Sequence, residues 1–256
     1  VVPKPLAIRL ATDWWDNTSP DTRKKIFQEC LQNDLYIPLC DQMKNLHSSD
    51  SVRNFVSDYY KLNGPNCTLE NFTTLSGSKI LYYFVEINPV ACTDALTKVF
   101  GKLPKDEMLK VPNRRDIIWA LEKLCFWEET FVKSAKLLAN FAIAETESFG
   151  NNSTNLFFQL FWWQLSGTQA PPELRLLVLA DLSDSGNQDL KKLAISAAGH
   201  VLKTNGLSRV SGAESQGSRP VGKEWRPKFW KDIFDYWRAG LKFLQGFAML
   251  DDEFGE

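Results

Sequence analysis

The strongest constraint on this chain is a series of amphipathic helices joined by short turns. Residues 113–126 begin with helix-starting residues and continue with apolar side chains on one face. A second helical pattern covers 128–148, and a third covers 153–165. Similar patterns fill most of the chain, and antiparallel neighbouring helices bury their apolar faces by stacking. The sequence therefore predicts an all-α fold, an irregular α-solenoid of about ten to twelve helices in one helical-repeat domain, 1–256.

Two segments give local predictions that a structure can test. Residues 79–87 are aromatic and β-branched, which is typical of a strand. A lone strand would have no partner among the surrounding helices, so a helix is the preferred prediction. In the helix at 113–126, Trp119 follows Ile118 on the core stripe and is predicted to be buried.

Composition and charge argue against several functional classes. Hydrophobic residues make up 44% of the chain and charged residues 24%, which is typical of a folded protein. The formal net charge is −1, so no overall field favours nucleic acid or an anionic membrane. No apolar run approaches the length of a membrane span. The chain begins with Val1 and not with Met, which indicates a piece of a longer protein.

The cysteines predict a reducing environment. They are widely spaced, form no CxxC pair and are odd in number, which indicates reduced, buried thiols in a cytoplasmic protein. The chain has only two histidines, so neither a metal site nor another cofactor is predicted. The five cysteines are Cys30, Cys40, Cys67, Cys92 and Cys125.

No catalytic motif stands out, and no enzymatic activity is predicted. The spacing of Gly212 and Gly217 is that of a phosphate loop. Ser218 and Arg219, however, stand where such a loop needs Lys and then Ser or Thr. The sequence therefore predicts that this chain does not bind ATP.

The longest stretch without helical periodicity is the Gly- and Ser-rich segment 205–226. Loops of this length are usually functional or disordered, and both alternatives stay open. Stiff and bulky residues near its end favour an ordered loop that docks on neighbouring helices. Arg219 and Arg226 are each predicted to bind a carboxylate or a helix C-terminus, and Trp225 to fill a groove. The candidate interaction residues are Arg114, Arg115, Arg219, Trp225 and Arg226.

Residues 219–242 interleave basic and aromatic side chains. Proteins use this mixture to bind single-stranded nucleic acid. The preferred interpretation is that the aromatic side chains form the buried face of a final helix, 227–250, and the basic ones its solvated rim. Glu224, Asp232 and Asp235 also dilute the positive charge. A nucleic-acid-binding helical array is kept as the alternative function.

Short motifs span nearly the whole chain. They are Pro3-Lys4-Pro5-Leu6-Ala7 with Trp14-Trp15, Gly77-Ser78-Lys79-Ile80 with Glu86-Ile87-Asn88-Pro89, Arg114-Arg115-Asp116-Ile117-Ile118-Trp119-Ala120-Leu121-Glu122, Asn151-Asn152-Ser153-Thr154, Leu165-Ser166-Gly167-Thr168, Gly212-Ala213-Glu214-Ser215-Gln216-Gly217-Ser218-Arg219-Pro220 and Trp225-Arg226-Pro227-Lys228. In this order they resemble the C-terminal helical-repeat region of bacterial STAND-class signalling NTPases, a group that includes antiphage defence ATPases.

The resemblance implies a role within a larger protein. In that family an N-terminal effector precedes a P-loop NTPase core and a helical sensor. The sensor binds a trigger, often a foreign protein, and this binding drives oligomerisation. By resemblance, the chain is the sensor portion, a non-enzymatic recognition scaffold with no nucleotide chemistry of its own. Its expected partners are a protein trigger, which phage could supply, and the N-terminal NTPase module.

Overall fold

The fold is all-α, as the sequence predicts. The computed structural model describes residues 3–209 and 212–248, and every regular element in these ranges is helical. The chain divides into two compact units. The prediction of one helical-repeat domain stays a prediction, because stacked repeats contact chiefly their neighbours and can divide in this way. The first unit holds residues 1–102, 111–123 and 215–222, and the second holds 103–110, 124–214 and 223–256.

The described residues form fourteen α-helices, more than the predicted ten to twelve, because one-turn helices such as Lys105–Met108 lack a readable periodicity. A single 3-10 turn, Lys44–Leu46, follows the third helix. The helices are α1 Lys4–Asn17, α2 Pro20–Gln32, α3 Tyr36–Met43, α4 Asp50–Tyr59, α5 Leu69–Thr73, α6 Leu75–Phe84, α7 Pro89–Phe100, α8 Lys105–Met108, α9 Arg114–Phe126, α10 Glu128–Ile143, α11 Ser153–Gln159, α12 Pro172–Ser183, α13 Gln188–Val201 and α14 Trp230–Ala248.

Side-chain caps begin many of these helices. Ser19, Ser49, Thr74, Asn88 and Asn187 each accept a hydrogen bond from the backbone N–H three residues further on. Each cap satisfies a donor that the first helical turn leaves without a partner. The sequence therefore sets most helix starts locally.

The first unit has an aromatic core. The Phe27 ring from α2 lies 5.2 Å from that of Phe55 on α4 and 5.8 Å from that of Phe84 on α6. Tyr60 and Phe72 stack with ring centroids 5.2 Å apart. Buried rings of this size supply much of the hydrophobic stabilisation of a small helical unit. This core holds α2, α4 and α6 together.

The second unit is built around α10, which packs against α8, α11, α12 and α13. The close approach of α13 to α14 depends on a glycine. A Cβ atom at Gly240 would lie 2.9 Å from the Cγ1 atom of Val201. Because real Cβ atoms are almost never so close to a neighbour, a larger residue there would push α14 away from α13.

The helix prediction for 79–87 is correct as far as Phe84, where α6 ends. The helix predicted at 128–148 ends at Ile143, and the one predicted at 153–165 ends at Gln159. The reason for the first early end is local, since Glu145 Oε1 accepts hydrogen bonds from the N–H groups of Thr146 and Glu147. Such side-chain bonds compete with continuation of a helix.

Burial of Trp119 was predicted wrongly. The side chain is only partly buried, and the guanidinium of Arg115 lies 6.0 Å from its ring. The fully buried row of α9 instead contains Ile117, Leu121 and Leu124. Their i, i+4, i+7 spacing defines the core face of the helix, and position 119 lies on the opposite side of the helix.

Four of the five cysteines are buried and all five are free thiols, as predicted, while Cys30 is half-buried. Burial raises the pKa of the Cys40 and Cys92 thiols, so both remain protonated and behave as small apolar core groups.

Candidate functional site

The segment 215–222 is part of the predicted loop, and hydrogen bonds hold it against the other residues of the first unit. The buried Gln216 side chain donates from Nε2 to the Lys123 carbonyl at 3.1 Å. Arg219 donates from Nε to the Glu86 carbonyl and from Nη2 to the Ile87 carbonyl, both at 3.1 Å. These two carbonyls lie two and three residues beyond Phe84, the last residue of α6, in the turn that follows the helix. Arg219 therefore binds the turn after a helix and neither a carboxylate nor the helix end itself.

Gly217 makes the closest backbone approach in this segment. Its φ is +57°, and a Cβ atom there would lie 2.2 Å from the Lys44 carbonyl oxygen. The next residue, Ser218, donates from its hydroxyl to the Asn45 carbonyl at 2.5 Å. Only glycine combines this backbone conformation with this contact. Gly217, the second glycine of the phosphate-loop spacing, therefore packs against the backbone of this chain.

Two ion pairs connect α9 with residues on and just after α6 in the first unit. Lys123 forms an ion pair with Glu86, a residue that is 3% exposed. Lys79 Nζ lies 2.7 Å from Asp116 Oδ1, and the Ser78 hydroxyl donates to Asp116 Oδ2 at 3.3 Å. Buried charge pairs with supporting hydrogen bonds fix the relative positions of the elements that carry them. Here they fix α6 against α9.

Arg114 and Arg115 have different environments although they are neighbours. Arg114 is the first residue of α9 and is buried. Arg115 is exposed, with its guanidinium near the Trp119 ring. Of this predicted pair, only Arg115 therefore presents its side chain to solvent.

In the second unit a fully buried arginine holds a loop in place. Arg175 on α12 donates from Nε to the Ala170 carbonyl at 2.8 Å and from Nη1 to the Trp162 carbonyl at 2.7 Å. Its Nη2 donates to the Ser166 hydroxyl at 3.1 Å. Burial lowers the pKa of Arg175. Sequence reasoning missed this residue, although a lone cation inside the apolar run of α12 was a visible signal.

The segment around Trp225 pairs with the loop at 165–168. The Trp225 N–H donates to the Thr168 carbonyl at 2.8 Å, and the Gly167 N–H donates to Glu224 Oε2 at 3.0 Å. The Trp225 ring lies 5.2 Å from the guanidinium carbon of Arg175. Two motifs that are distant in sequence therefore form one packed structure within this unit.

Arg226 lies at the surface of the same structure. Its Nη2 is 3.0 Å from Glu224 Oε1, but 70% of the Arg226 side chain is exposed. Trp225 and Arg226 also line a groove of about 370 Å³ between α12 and α14. The structure thus brings these two predicted residues together, whereas Arg219, Arg114 and Arg115 belong to the first unit.

The expectation that the last helix buries its aromatic side chains is wrong for part of α14. Trp230 is 68% exposed and Phe234 is 45% exposed, and their rings stack with centroids 6.1 Å apart. The buried face of α14 is instead formed by Ile233, Tyr236 and Gly240. The helix is apolar over two adjacent faces, and packing uses only one of them. The aromatic face of α14 consists of Trp230, Phe234, Trp237 and Leu241; Trp237 is partly buried and the other three side chains are exposed.

A charged row runs beside the aromatic face of α14. Helical periodicity places Lys231, Asp235, Arg238 and Lys242 in one row, and all four are exposed. Arg238 Nη1 pairs with Asp235 Oδ1 at 2.6 Å. The row therefore carries more positive than negative charge.

Comparisons of the chain with protein-family models, with curated proteins and with solved structures found no match. Among the described residues, none of the helices has the length and apolar character needed to cross a membrane.

Proposed function

We propose that this chain is a non-enzymatic recognition scaffold, the sensor portion of a bacterial STAND-type defence or signalling NTPase, and that it binds a protein trigger. The NTPase module and the effector would belong to the parent protein outside this chain. The motif resemblance supports the assignment to that class of protein. The observation that carries the proposal of protein binding is the exposed aromatic face of α14.

The side chains of that face suit a protein–protein interface. Large contiguous apolar patches are rare on free protein surfaces and often mark interaction sites. Trp is among the residues that contribute most to binding energy at such interfaces. Trp230 and Phe234 stack on each other, so little side-chain entropy remains to be lost when a partner covers them.

The charged row indicates which charged side chains the trigger would present. Lys231, Arg238 and Lys242 outnumber the single carboxylate of Asp235. A complementary partner would place an apolar strip against the aromatic face and acidic side chains against this row. We therefore expect the trigger to present an amphipathic segment with Asp or Glu along one edge.

The motif residues themselves take part in internal contacts. Arg219 binds two carbonyls of the turn after α6, and Glu86 pairs with Lys123. In the second unit Gly167 binds Glu224. Because these groups hold the fold together, the specificity for a trigger would come from other surface residues.

The second candidate is the nucleic-acid-binding helical array. The exposure of Trp230 and Phe234 beside basic residues favours it, because unpaired bases stack on such rings. The carboxylates of Asp235 and Glu224, however, pair with Arg238 and Arg226. The formal net charge of −1 also provides no general attraction for phosphates.

A binding screen tests the proposal. The purified chain is immobilised and exposed to individually expressed phage proteins and, at the same ionic strength, to a single-stranded oligonucleotide. We expect saturable binding of a phage protein that is lost in Trp230→Ala, with no binding of the oligonucleotide. Salt-dependent binding of the oligonucleotide alone, lost in the same variant, would instead identify the nucleic-acid-binding function.

A further inference from the structure

A polar cavity lies between α2 and α4 in the first unit. Its volume is about 370 Å³. Arg23 and Lys24 line it from α2, and Ser51, Asn54 and Asp58 line it from α4. The three α4 residues follow an i, i+3, i+7 spacing, so they share the face of α4 that borders the cavity. Cationic and hydrogen-bonding groups from two helices therefore meet in one place.

Arg23 is the unusual member of this cavity. Only 9% of the residue is exposed, and its Nε atom is buried with no hydrogen-bond partner in the described part of the chain. A buried cation without partners is costly, and native proteins almost always pair such a group. Arg175 shows the usual solution, since all three of its guanidinium nitrogens donate within the fold. Arg23 thus has an Nε donor that no described residue accepts.

Asp58 is the carboxylate that lines the same cavity. Within the described residues it forms no ion pair with Arg23. The Phe27 and Phe55 rings, 5.2 Å apart, fix α2 and α4 at this point, so the cavity walls are held by packing. Arg23 and Asp58 thus line the same space, which is large enough for a small ligand.

We propose that this cavity is a binding site for an oxyanion, with Arg23 as its main ligand-binding residue. The planar guanidinium matches the paired oxygens of a phosphate or a carboxylate. Lys24 adds a second positive charge, and Ser51 and Asn54 supply neutral donors. Asp58 accepts a hydrogen bond from any hydroxyl that the oxyanion carries. The site lies in the first unit and does not depend on the proposed trigger surface of α14.

The chemistry fits two sources of the oxyanion, namely free phosphate and a carboxylate side chain of a bound polypeptide. Thermal unfolding of the full chain in a chloride buffer separates them. One arm adds inorganic phosphate, a second adds a short Glu-containing peptide, and a control adds sodium chloride to the same ionic strength. Saturating oxyanion is expected to raise the Tm by roughly 5 °C over the chloride control. The arm that gives this rise identifies the source.

The variant Arg23→Met makes the test specific. It replaces the buried cation by an apolar side chain of similar length, so we expect a higher Tm than wild type in chloride and no response to either oxyanion. Arg9→Met, at an exposed arginine of α1, is the control and is expected to keep the wild-type response.

A spectroscopic measurement on the wild-type chain avoids any folding defect of a variant. In a ¹⁵N-arginine-labelled sample, the Nε–H signal of Arg23 is expected to shift and saturate as the oxyanion is added, while that of Arg9 stays in place. Two results would overturn the proposal. One is an Arg23 signal that neither oxyanion moves. The other is an equal loss of Tm in chloride for Arg23→Met and Asp58→Asn, which would show an internal ion pair.

Discussion

At the scale of single residues, Arg175 has the most consequential position in the second unit. Its guanidinium satisfies the carbonyls of Ala170 and Trp162 away from solvent. In Arg175→Met both carbonyls lose their hydrogen-bond donor. Each buried carbonyl without a partner lowers the free energy of unfolding. We expect a loss of about 3 kcal/mol in the free energy of unfolding, measured by urea denaturation.

The matched control for Arg175→Met is Arg238→Met. Arg238 lies on the surface of α14 in an exposed ion pair with Asp235. Such pairs contribute little, so the control is expected to change the free energy of unfolding by less than about 1 kcal/mol. Equal effects of the two substitutions would show that the Arg175 hydrogen bonds do not stabilise the unit.

His200 predicts a dependence of stability on pH. Its ring stacks on Phe158 with centroids 4.4 Å apart, and its Nδ1 accepts the indole N–H of Trp162 at 3.3 Å. Burial and then the nearby Lys203 lower the pKa of His200. The unfolded chain therefore binds the proton more readily than the folded one, and stability falls as pH drops below the unfolded value of about 6.5.

The measurement is the Tm of wild type and His200→Gln between pH 8 and pH 5. Wild type is expected to be most stable above the unfolded pKa, to lose stability on acidification, and to level off below the folded pKa. The Tm of the His200→Gln variant should fall less over the same pH range. His47, whose pKa burial also lowers, accounts for part of what remains. Identical pH profiles for the two proteins would contradict this account of His200.

Residue-level burial could be predicted from the sequence only in part. The periodic positions of α9 indicate its core face, but Trp119, which was placed on that face because it follows Ile118, lies on the opposite side of the helix. Arg175 could not be assigned a role, because its acceptors are carbonyls that only the folded loop brings together. Local patterns specify faces of helices, whereas partners across the fold depend on tertiary structure.

At the scale of elements, the segment 215–222 depends on Gly217. An alanine there must adopt a φ near +57° and also push its Cβ against the Lys44 carbonyl. Backbone strain of this kind costs about 1–3 kcal/mol, so Gly217→Ala should loosen the segment from the first unit. We expect faster trypsin cleavage after Lys223 than in wild type.

Gly150→Ala is the control, since a Cβ at that position would meet no atom within 4 Å. It is expected to leave the cleavage rate unchanged. Rapid cleavage of the wild-type chain after Lys223, with the flanking helices intact, would show that the segment is not held in solution.

Helix starts were predictable because capping residues lie next to them in sequence. Pro20 and Asn88 mark the starts of α2 and α7 closely. The start of α14 was predicted at Pro227 but lies at Trp230, because the Asp232 carboxylate accepts the N–H groups of Lys228 and Phe229. The sequence shows which donors and acceptors are present, but it does not show which hydrogen bonds they form.

At the scale of the molecule, the residues described above fall into two sets. Some bind other parts of the chain, and others are exposed or line a cavity. The motif side chains around Gly217, Glu86 and Gly167 bind other parts of the same unit. Within the described part of the chain, Trp230 and Phe234 on the aromatic face of α14 are exposed, and Arg23 Nε at the cavity has no hydrogen-bond partner. The proposed recognition function depends on the aromatic face, and the proposed oxyanion site is the cavity.

The measurement that tests recognition most directly compares stability and trigger binding in one double variant. Trp230→Ala with Phe234→Ala removes two exposed rings, so the Tm should stay near that of wild type. The control is Leu75→Ala, which removes a side chain that is 61% exposed on α6. Calorimetric titration with the trigger is predicted to show at least about a 100-fold loss of affinity for the double variant and none for the control. Wild-type affinity in the double variant would contradict the account, since the trigger would then bind another surface.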